Sequence, residues 1–515
     1  MGLAGWDDGL VWVRSFGLPL ADAARPGAHD IMSKRNHILS WVSWAGADAL
    51  VRVIALGGVT FILSRLLDPA DFGVSAIVLA TAAAAGLVVG APFQDALVQR
   101  RVLRKLHLQS ALAASLVIGL LLIGGSILLA PQLASAYSAP EIQLLLPITM
   151  VSILFSGHGE LVGARARRQK RFTEIAAADL VSHLVAAPVA VTAALLGAGV
   201  WSLILLRLVA VLVQSLILQA RVGYPLLPRF SSAHLADLRR IASIASLDRI
   251  TDNLTYLVLS NLVASLFGLA MLGQLNMAMR VIEPLRGAVM AAIHNFTFPT
   301  FRRIAYANVS PAERDLPVRV LANVTGPIFA GLACVIPLVL PLVTGPGWEN
   351  AVPIAIGLAL GSAIAMPTQP IFTALTAQGR PEYGLLGSLT RLCLTLLTLL
   401  VLREWALLAV SLARVSGDVC TALLGLLVPL KNQAWSARTR LALLLPAWGA
   451  MVLMSVVTCA VIWAIGAANI WAALPGGILT GIATYYLLLR LLQPDVLSQL
   501  LEIVIPARGR RSVSG

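Results

Sequence analysis

Residues 107–130 read HLQSALAASLVIGLLLIGGSILLA, twenty-four positions without an acidic residue, a lysine or an arginine. A helix needs about 20 mostly apolar residues to cross a bilayer, so this run is long enough to span one. Arg100, Arg101, Arg104 and Lys105 stand immediately before it. Basic residues collect beside the cytoplasmic ends of membrane spans. The quoted run therefore reads as a membrane helix entered from the cytoplasm.

The same pattern recurs along the whole chain. Breaking the sequence at charge clusters and at Gly/Pro punctuation gives fourteen apolar runs. They are 38–63, 74–98, 107–130, 142–163, 174–196, 200–220, 241–266, 276–300, 318–343, 351–375, 383–401, 405–428, 441–465 and 472–492. The composition agrees. Of 515 residues, 58% are apolar and 12% charged, with a mean hydropathy of +0.86. A soluble domain is nearer about half apolar and a quarter charged. The expected fold class is an all-α polytopic membrane protein of about fourteen transmembrane helices.

The basic residues test this map. With the N-terminus inside, 29 of the 38 lysines and arginines fall in cytoplasmic segments. Arg65 and Arg403 fall on the opposite side, and seven lie within spans. Such a split places both termini in the cytoplasm. It also explains the net charge of +14 without nucleic acid as a partner. Cys334, Cys393, Cys420 and Cys459 each sit in an apolar run and read as packing residues, not as metal ligands or a disulfide framework. The first 35 residues hold no cleavable signal. Residues 11–20 read as a surface-lying amphipathic helix or a simple tail.

The segmentation follows. A cytoplasmic tail (1–37) precedes an N-terminal six-helix lobe (38–220). A cytoplasmic linker (221–240) leads to a C-terminal six-helix lobe (241–428). Two extra helices (429–492) and a basic tail (493–515) close the chain. An internal repeat at an offset of 200 supports two parallel lobes. Asp48 precedes Gly73 by 25 residues, and Asp248 precedes Gly273 by the same interval. Phe72-Gly73 corresponds to Leu272-Gly273, and Arg100-Arg101 to Arg302-Arg303 after a slip of two. Two similar lobes facing a cleft is the architecture of an alternating-access transporter. The connections are too short for the large outward domain of an envelope polymerase or ligase, and no nucleotide-sugar site is visible. Neither catalytic residues, nor a metal, nor a cofactor is expected; a coupling ion is left unassigned.

The charges inside the spans carry the functional reading. Arg52, Arg207, Arg249, Arg280, Arg286, Arg391 and Arg414 lie there, with Asp48, Asp179, Asp248, Asp252, Glu283 and Asp418. An arginine at a helix centre costs roughly 2.5–3.5 kcal/mol on insertion scales. Such residues must pair, snorkel or face water. Asp48–Arg52, Arg414–Asp418 and Asp179–His183 have i,i+4 spacing, and Arg280–Glu283–Arg286 forms a stripe. Each fits a structural ion pair as well as a hydrated cavity. As a set they favour the cavity. Its arginine excess suits a bulky anion, because the guanidinium fork binds phosphate oxygens in pairs.

The stretch Ser64-Arg65-Leu66-Leu67-Asp68-Pro69-Ala70-Asp71-Phe72-Gly73 resembles the first outward loop of the polysaccharide transporter family. These are Wzx-type flippases of the multidrug/oligosaccharidyl-lipid/polysaccharide exporter superfamily. Pro69 stops one helix and Gly73 permits a tight entry to the next. Gly268–Ala278 and Phe298-Pro299-Thr300-Phe301 resemble the turn and the span exit of that family's second lobe. The resemblance implies a flippase for undecaprenyl-diphosphate-linked oligosaccharide units in the bacterial inner membrane, closest to the exopolysaccharide branch. The polysaccharide polymerase and export machinery would be its partners. The two extra helices, by analogy, cradle the polyprenyl chain or seal one lobe. Arg52, Arg249, Arg280 and Arg286 are the expected diphosphate ligands. Asp48, Asp248, Asp252, Asn253 and Glu283 are expected to bind sugar hydroxyls or a coupling ion. A multidrug/cation antiporter and an envelope polymerase or ligase stand as alternatives.

Overall fold

The computed structural model describes residues 57–100, 102–306, 311–378, 380, 382–428, 436–466 and 469–504. Asp48, Arg52 and the amphipathic stretch 11–20 lie outside these. The side chains of Asp248, Arg249, Asp252, Asn253 and His294 also lie outside them, although their backbone is helical.

Among the described residues the regular structure is helical throughout. A helix at 57–64 (α1) leads through the Ser64–Asp68 turn into α2 (Pro69–Val89). Then follow α3 (Ala91–Gln99), α4 (Lys105–Ala136), α5 (Ile142–Arg168), α6 (Phe172–Leu195) and α7 (Trp201–Val222). The long stretch α8 (Ser232–Tyr306) connects to α9 (Pro311–Thr344), α10 (Ala351–Ala365) and α11 (Gln369–Ala377). The C-terminal part holds α12 (Glu382–Val401), α13 (Ala406–Leu427), α14 (Ala437–Gly466), α15 (Ile470–Leu492) and α16 (Pro494–Val504).

Twelve helices among the described residues are long and apolar enough to cross a membrane. The fourteen expected spans map onto them with two differences. Residues 38–56 of the first span lie outside the described residues. The spans 241–266 and 276–300 run as one helical stretch, broken only at Gly268 (φ 85°, ψ 168°). Asn276 Nδ2 donates to Tyr256 Oη at 2.9 Å across 20 residues. A straight helix would hold these residues roughly 30 Å apart, so the two halves of α8 fold back side by side.

That reversal depends on glycine. The φ/ψ pair of Gly268 is open only to a residue without Cβ. Gly268→Ala is expected to lower the unfolding free energy by about 1–3 kcal/mol. Gly124→Ala in α4, where nothing lies within 4 Å of the added methyl, should be neutral or slightly stabilising. Denaturant titration of both variants in detergent compares them; equal midpoints would show that the turn tolerates a side chain.

The expected linker 221–240 is shorter than its polarity suggests. Non-helical backbone runs only over 223–231, and helix resumes at Ser232. Leu238 is fully buried against Ala111, Leu161 and Leu218, and Leu235 packs beside it. Asp237, next to Leu238 in the same turn, pairs with Arg100 at 2.9 Å. The hydrogen bond from Arg100 holds the Asp237 carboxyl below its usual range. Apolar residues three apart gave this segment a buried face, which the basic pair Arg239-Arg240 obscured.

Packing follows membrane rules. Large side chains face outward, as with Leu121 (71% exposed) and Leu128 (75%) on α4. Small residues line the seams: Ala111, Ala114 and Ser115 of α4 are buried. Lipid offers no hydrophobic drive between helices, so close approach of small residues supplies the contact energy. The largest buried cluster joins Phe72, Leu272, Ile282, Phe329, Trp348 and Leu358, drawn from α2, α8, α9 and α10 with the loop before α10. It sits beside the charged cavity.

Candidate substrate cavity

A cavity of about 640 Å³ lies between α2, α8, α12 and α13 and the α10–α11 junction. Tyr256, Asn276, Arg280, Glu283, Arg286, Arg391 and Arg414 supply its polar lining, and Leu79, Met279, Met290 and Met366 much of the apolar lining. Pro367 and Pro370 interrupt the helical path at the junction, where a single 3₁₀ turn (Met366–Thr368) joins α10 to α11. Proline removes a donor and so favours such a break.

One carboxylate organises three of the arginines. Asp418 of α13 is fully buried. Arg286 donates to both its oxygens, Nη1 to Oδ2 at 3.0 Å and Nη2 to Oδ1 at 3.1 Å. Arg391 Nη1 lies 4.0 Å from Oδ1 and Arg414 Nε 3.8 Å from Oδ2. Arg414 also donates to Glu283 Oε1 at 3.3 Å. Gly361 and Gly417 allow this approach: a methyl on either would press on Asp418 or on the backbone and side chain of Arg391.

Arg280 is held differently. Its Nε donates to Asn276 Oδ1 at 2.8 Å, and Asn276 in turn donates to Tyr256. Its guanidinium carbon lies 5.5 Å from the centroid of the Phe72 ring. Arg280 also lines a neighbouring cavity of about 310 Å³ with Thr60, His183 and Pro284. Among the described residues the larger cavity therefore presents four guanidinium groups and one carboxylate, Glu283, with Asp418 buried behind them.

The expected site residues divide accordingly. Arg280, Glu283 and Arg286 meet in one cavity. The stripe does not pair within itself, because Glu283 engages Arg414 and Arg286 engages Asp418. Arg414–Asp418, expected from its spacing, is found at 3.8 Å. Asp179 and His183 approach to 3.9 Å beside the smaller cavity. Arg391 and Arg414 belong to the lining although they were not among the expected ligands. Their presence inside apolar runs was the available signal.

A second, apolar groove of about 540 Å³ opens between α9, α14 and α15. Pro327, Ile328, Gly331, Met454, Gly477, Ile478 and Ile482 line it, with Leu285 of α8. Tyr485 lies at its edge and donates to the Asn323 side chain at 2.9 Å. Residues 283–287 thus separate the two spaces. Glu283, Pro284, Arg286 and Gly287 line the cavity, and Leu285 lines the groove.

Membrane-crossing helices around a cationic cavity define a class, the polytopic membrane transporters. The profile of the family described as Polysaccharide biosynthesis protein matches residues 62–353, and the chain belongs to that family, one of transporters and not of enzymes. The succinoglycan biosynthesis transport protein ExoT of Rhizobium meliloti (strain 1021) is 28% identical over 324 residues, 62% of this chain. The chain spans 65% of that protein's length. The lipopolysaccharide biosynthesis protein WzxC of Escherichia coli (strain K12) is 24% identical over 367 residues, covering 68% of this chain and 72% of that one. Among solved structures, the lipid II flippase MurJ in an inward closed conformation superposes with a TM-score of 0.69 at 12% identity. The match covers 88% of this chain and 99% of MurJ, and it shows a shared fold.

Proposed function

We propose that this protein is a flippase for undecaprenyl-diphosphate-linked oligosaccharide units in exopolysaccharide or related surface-polysaccharide synthesis. It works in the bacterial cytoplasmic membrane with both termini inside. Two six-helix lobes, 38–220 and 241–428, alternate access to the cavity, and the helices within 429–492 border the groove. Counting the halves of α8 separately and adding the span from residue 38 gives fourteen crossings.

The observation that carries this reading is the adjacency of cavity and groove across α8. A diphosphate with sugars cannot enter hydrocarbon, whereas a polyprenyl tail need not leave it. The cationic cavity suits the headgroup and the apolar groove suits the tail. Arg280, Arg391 and Arg414 bind the diphosphate, with Arg52 and Arg249 as further ligands. Arg286 contributes its charge while its fork is engaged by Asp418. Asp48, Asp248, Asp252, Asn253 and Glu283 accept hydrogen bonds from sugar hydroxyls or hold a coupling ion. The polymerase and export machinery receive the product. The arginine excess disfavours a cationic drug as substrate, since repulsion in a low-dielectric site opposes its entry.

Cells lacking the protein should accumulate intact lipid-linked units facing the cytoplasm and lose surface polysaccharide. Accumulation on the outer face would assign the protein to a later step. Arg280→Ala should reduce export about 10- to 100-fold, the factor for losing a charge-assisted hydrogen bond. Membrane levels of the protein should not change. Normal export by Arg280→Ala would remove that residue from the site.

A further inference from the structure

The face carrying the Ser64–Asp68 turn, poor in basic residues, is closed by contacts that end on Arg280. Trp348, 1% exposed, donates from Nε1 to the Ser64 carbonyl at 2.9 Å. Arg65 donates to the carbonyls of Val343 and Leu342 at 3.0 and 2.5 Å. Gln274 donates to the Gly347 carbonyl at 2.6 Å. The loop before α10 is thereby clasped by α1 and by the second half of α8. The edge-to-face pair Phe72–Trp348, with ring centroids 4.9 Å apart at 85°, lies beneath. Phe72 also meets the Arg280 guanidinium. One fully buried ring therefore touches both the clasp and the cavity's arginine.

We propose that Phe72 is a positioning residue that couples occupancy of Arg280 to opening of this face. The inference rests on the flippase reading, which puts a phosphoanion on Arg280. With the cavity empty, the ring's negative face attracts the guanidinium and steadies both Arg280 and the Phe72–Trp348 contact. A phosphate oxygen competes for the same cation through a full charge, a stronger attraction than a ring quadrupole. The guanidinium leaves the ring, and the clasp loses that support. The ligand thus binds the open state better than the closed one, which is the condition for shifting the equilibrium. Its hydrogen-bond partner Asn276 lies one turn away on the same half of α8 and moves with it, so the guanidinium leaves the ring toward the cavity that both residues line.

The test uses the full chain in lipid nanodiscs, with cysteines 334, 393, 420 and 459 replaced and spin labels on Glu141→Cys and Glu404→Cys. Farnesyl diphosphate is the probe, and its binding is measured on the same samples. In otherwise unaltered protein the probe should enlarge the long-distance population across this face. Trifluorophenylalanine at position 72 keeps the ring's shape and weakens its quadrupole. It should open the empty protein by up to about two- to thirty-fold in the open-to-closed ratio, and cut the probe's effect by the same factor. A purely structural ring would leave the probe's effect unchanged, and that result overturns the proposal. Binding without any distance change overturns the coupling and leaves the substrate reading standing. Failure of the probe to bind overturns both.

Discussion

Asp418→Ala is expected to destabilise the protein by about 3–5 kcal/mol, the cost of leaving buried cations without their counter-charge. Three guanidinium groups lie within 4.0 Å of this fully buried carboxylate. Arg286 itself is 5% exposed and binds Asp418 through both arms of its fork. It is held against α13 and shows only a small edge to the cavity that it lines. The effect should depend on which partner is removed. Arg286→Ala strips the bidentate pair and should approach the cost of Asp418→Ala. Arg414→Ala removes a longer contact and one to Glu283, whose side chain is 34% exposed, so it should cost less than about 1 kcal/mol. Replacing both members as Asp418→Leu with Arg286→Met should recover part of the loss, because a packed apolar pair needs no desolvation of charge. Unfolding in mild detergent ranks the variants. A loss below about 1 kcal/mol for Asp418→Ala would mean that the cavity rehydrates its arginines freely.

This arrangement separates two duties among residues of one type. Arg286 is spent on Asp418 and fixes α8 against α13. Arg391 and Arg414 approach the same carboxylate at longer range, 4.0 and 3.8 Å. Arg280 lies on polar and aromatic neighbours. Uncompensated, each such arginine would cost roughly 2.5–3.5 kcal/mol at a bilayer centre. One aspartate lowers that cost for three of them and still leaves the cavity cationic. On the proposed function an anionic ligand would complete the compensation, so affinity for an anion and economy of charge would have the same origin.

Much of the fold was legible because apolar runs of bilayer length have few other uses. The run 107–130 became Lys105–Ala136, and 200–220 became Trp201–Val222. A reversal between residues 266 and 276 was legible from the break between two apolar runs, but its turn was expected at Leu272-Gly273, and hydropathy could not tell that it falls on Gly268 alone with helix on both sides. The site was half legible. Arg414–Asp418 is a local spacing and was read from it. Arg286–Asp418 joins residues 132 apart, and no periodicity encodes that pairing. Arg391 reaches the same carboxylate from a third helix. Side-chain direction also escaped the sequence: Arg280, Glu283 and Arg286 form a stripe, yet their partners come from the Asn276 turn and from α13. The offset-200 repeat was legible as a faint pattern, and its meaning is geometric. Pro69 corresponds to Leu269 and Gly73 to Gly273. Gly73 packs against the Leu269 carbonyl while Gly273 packs against the Pro69 carbonyl.

That reciprocal contact predicts the largest effect on transport. A methyl on either glycine would overlap a backbone carbonyl of the facing helix, and neither helix can turn a carbonyl aside as it could a flexible side chain. Gly73→Val and Gly273→Val should therefore prevent α2 from closing on α8. Overpacking of this kind costs about 1–3 kcal/mol, and here only the closed state bears it. The closed-to-open ratio should fall about 5- to 150-fold. Export should collapse, because a carrier unable to close one face cannot complete its cycle, while the protein still inserts and folds. Gly86→Ala tests the assignment to contact and not to glycine as such. It lies in the same helix with nothing within 4 Å of the added methyl, and it should export normally. The Gly73→Ala and Gly273→Ala variants should fall between these extremes and should not be additive, since either methyl alone already separates the same pair of helices. Wild-type export by both valine variants would show that the face never needs this contact, and that the repeat marks ancestry without a part in gating.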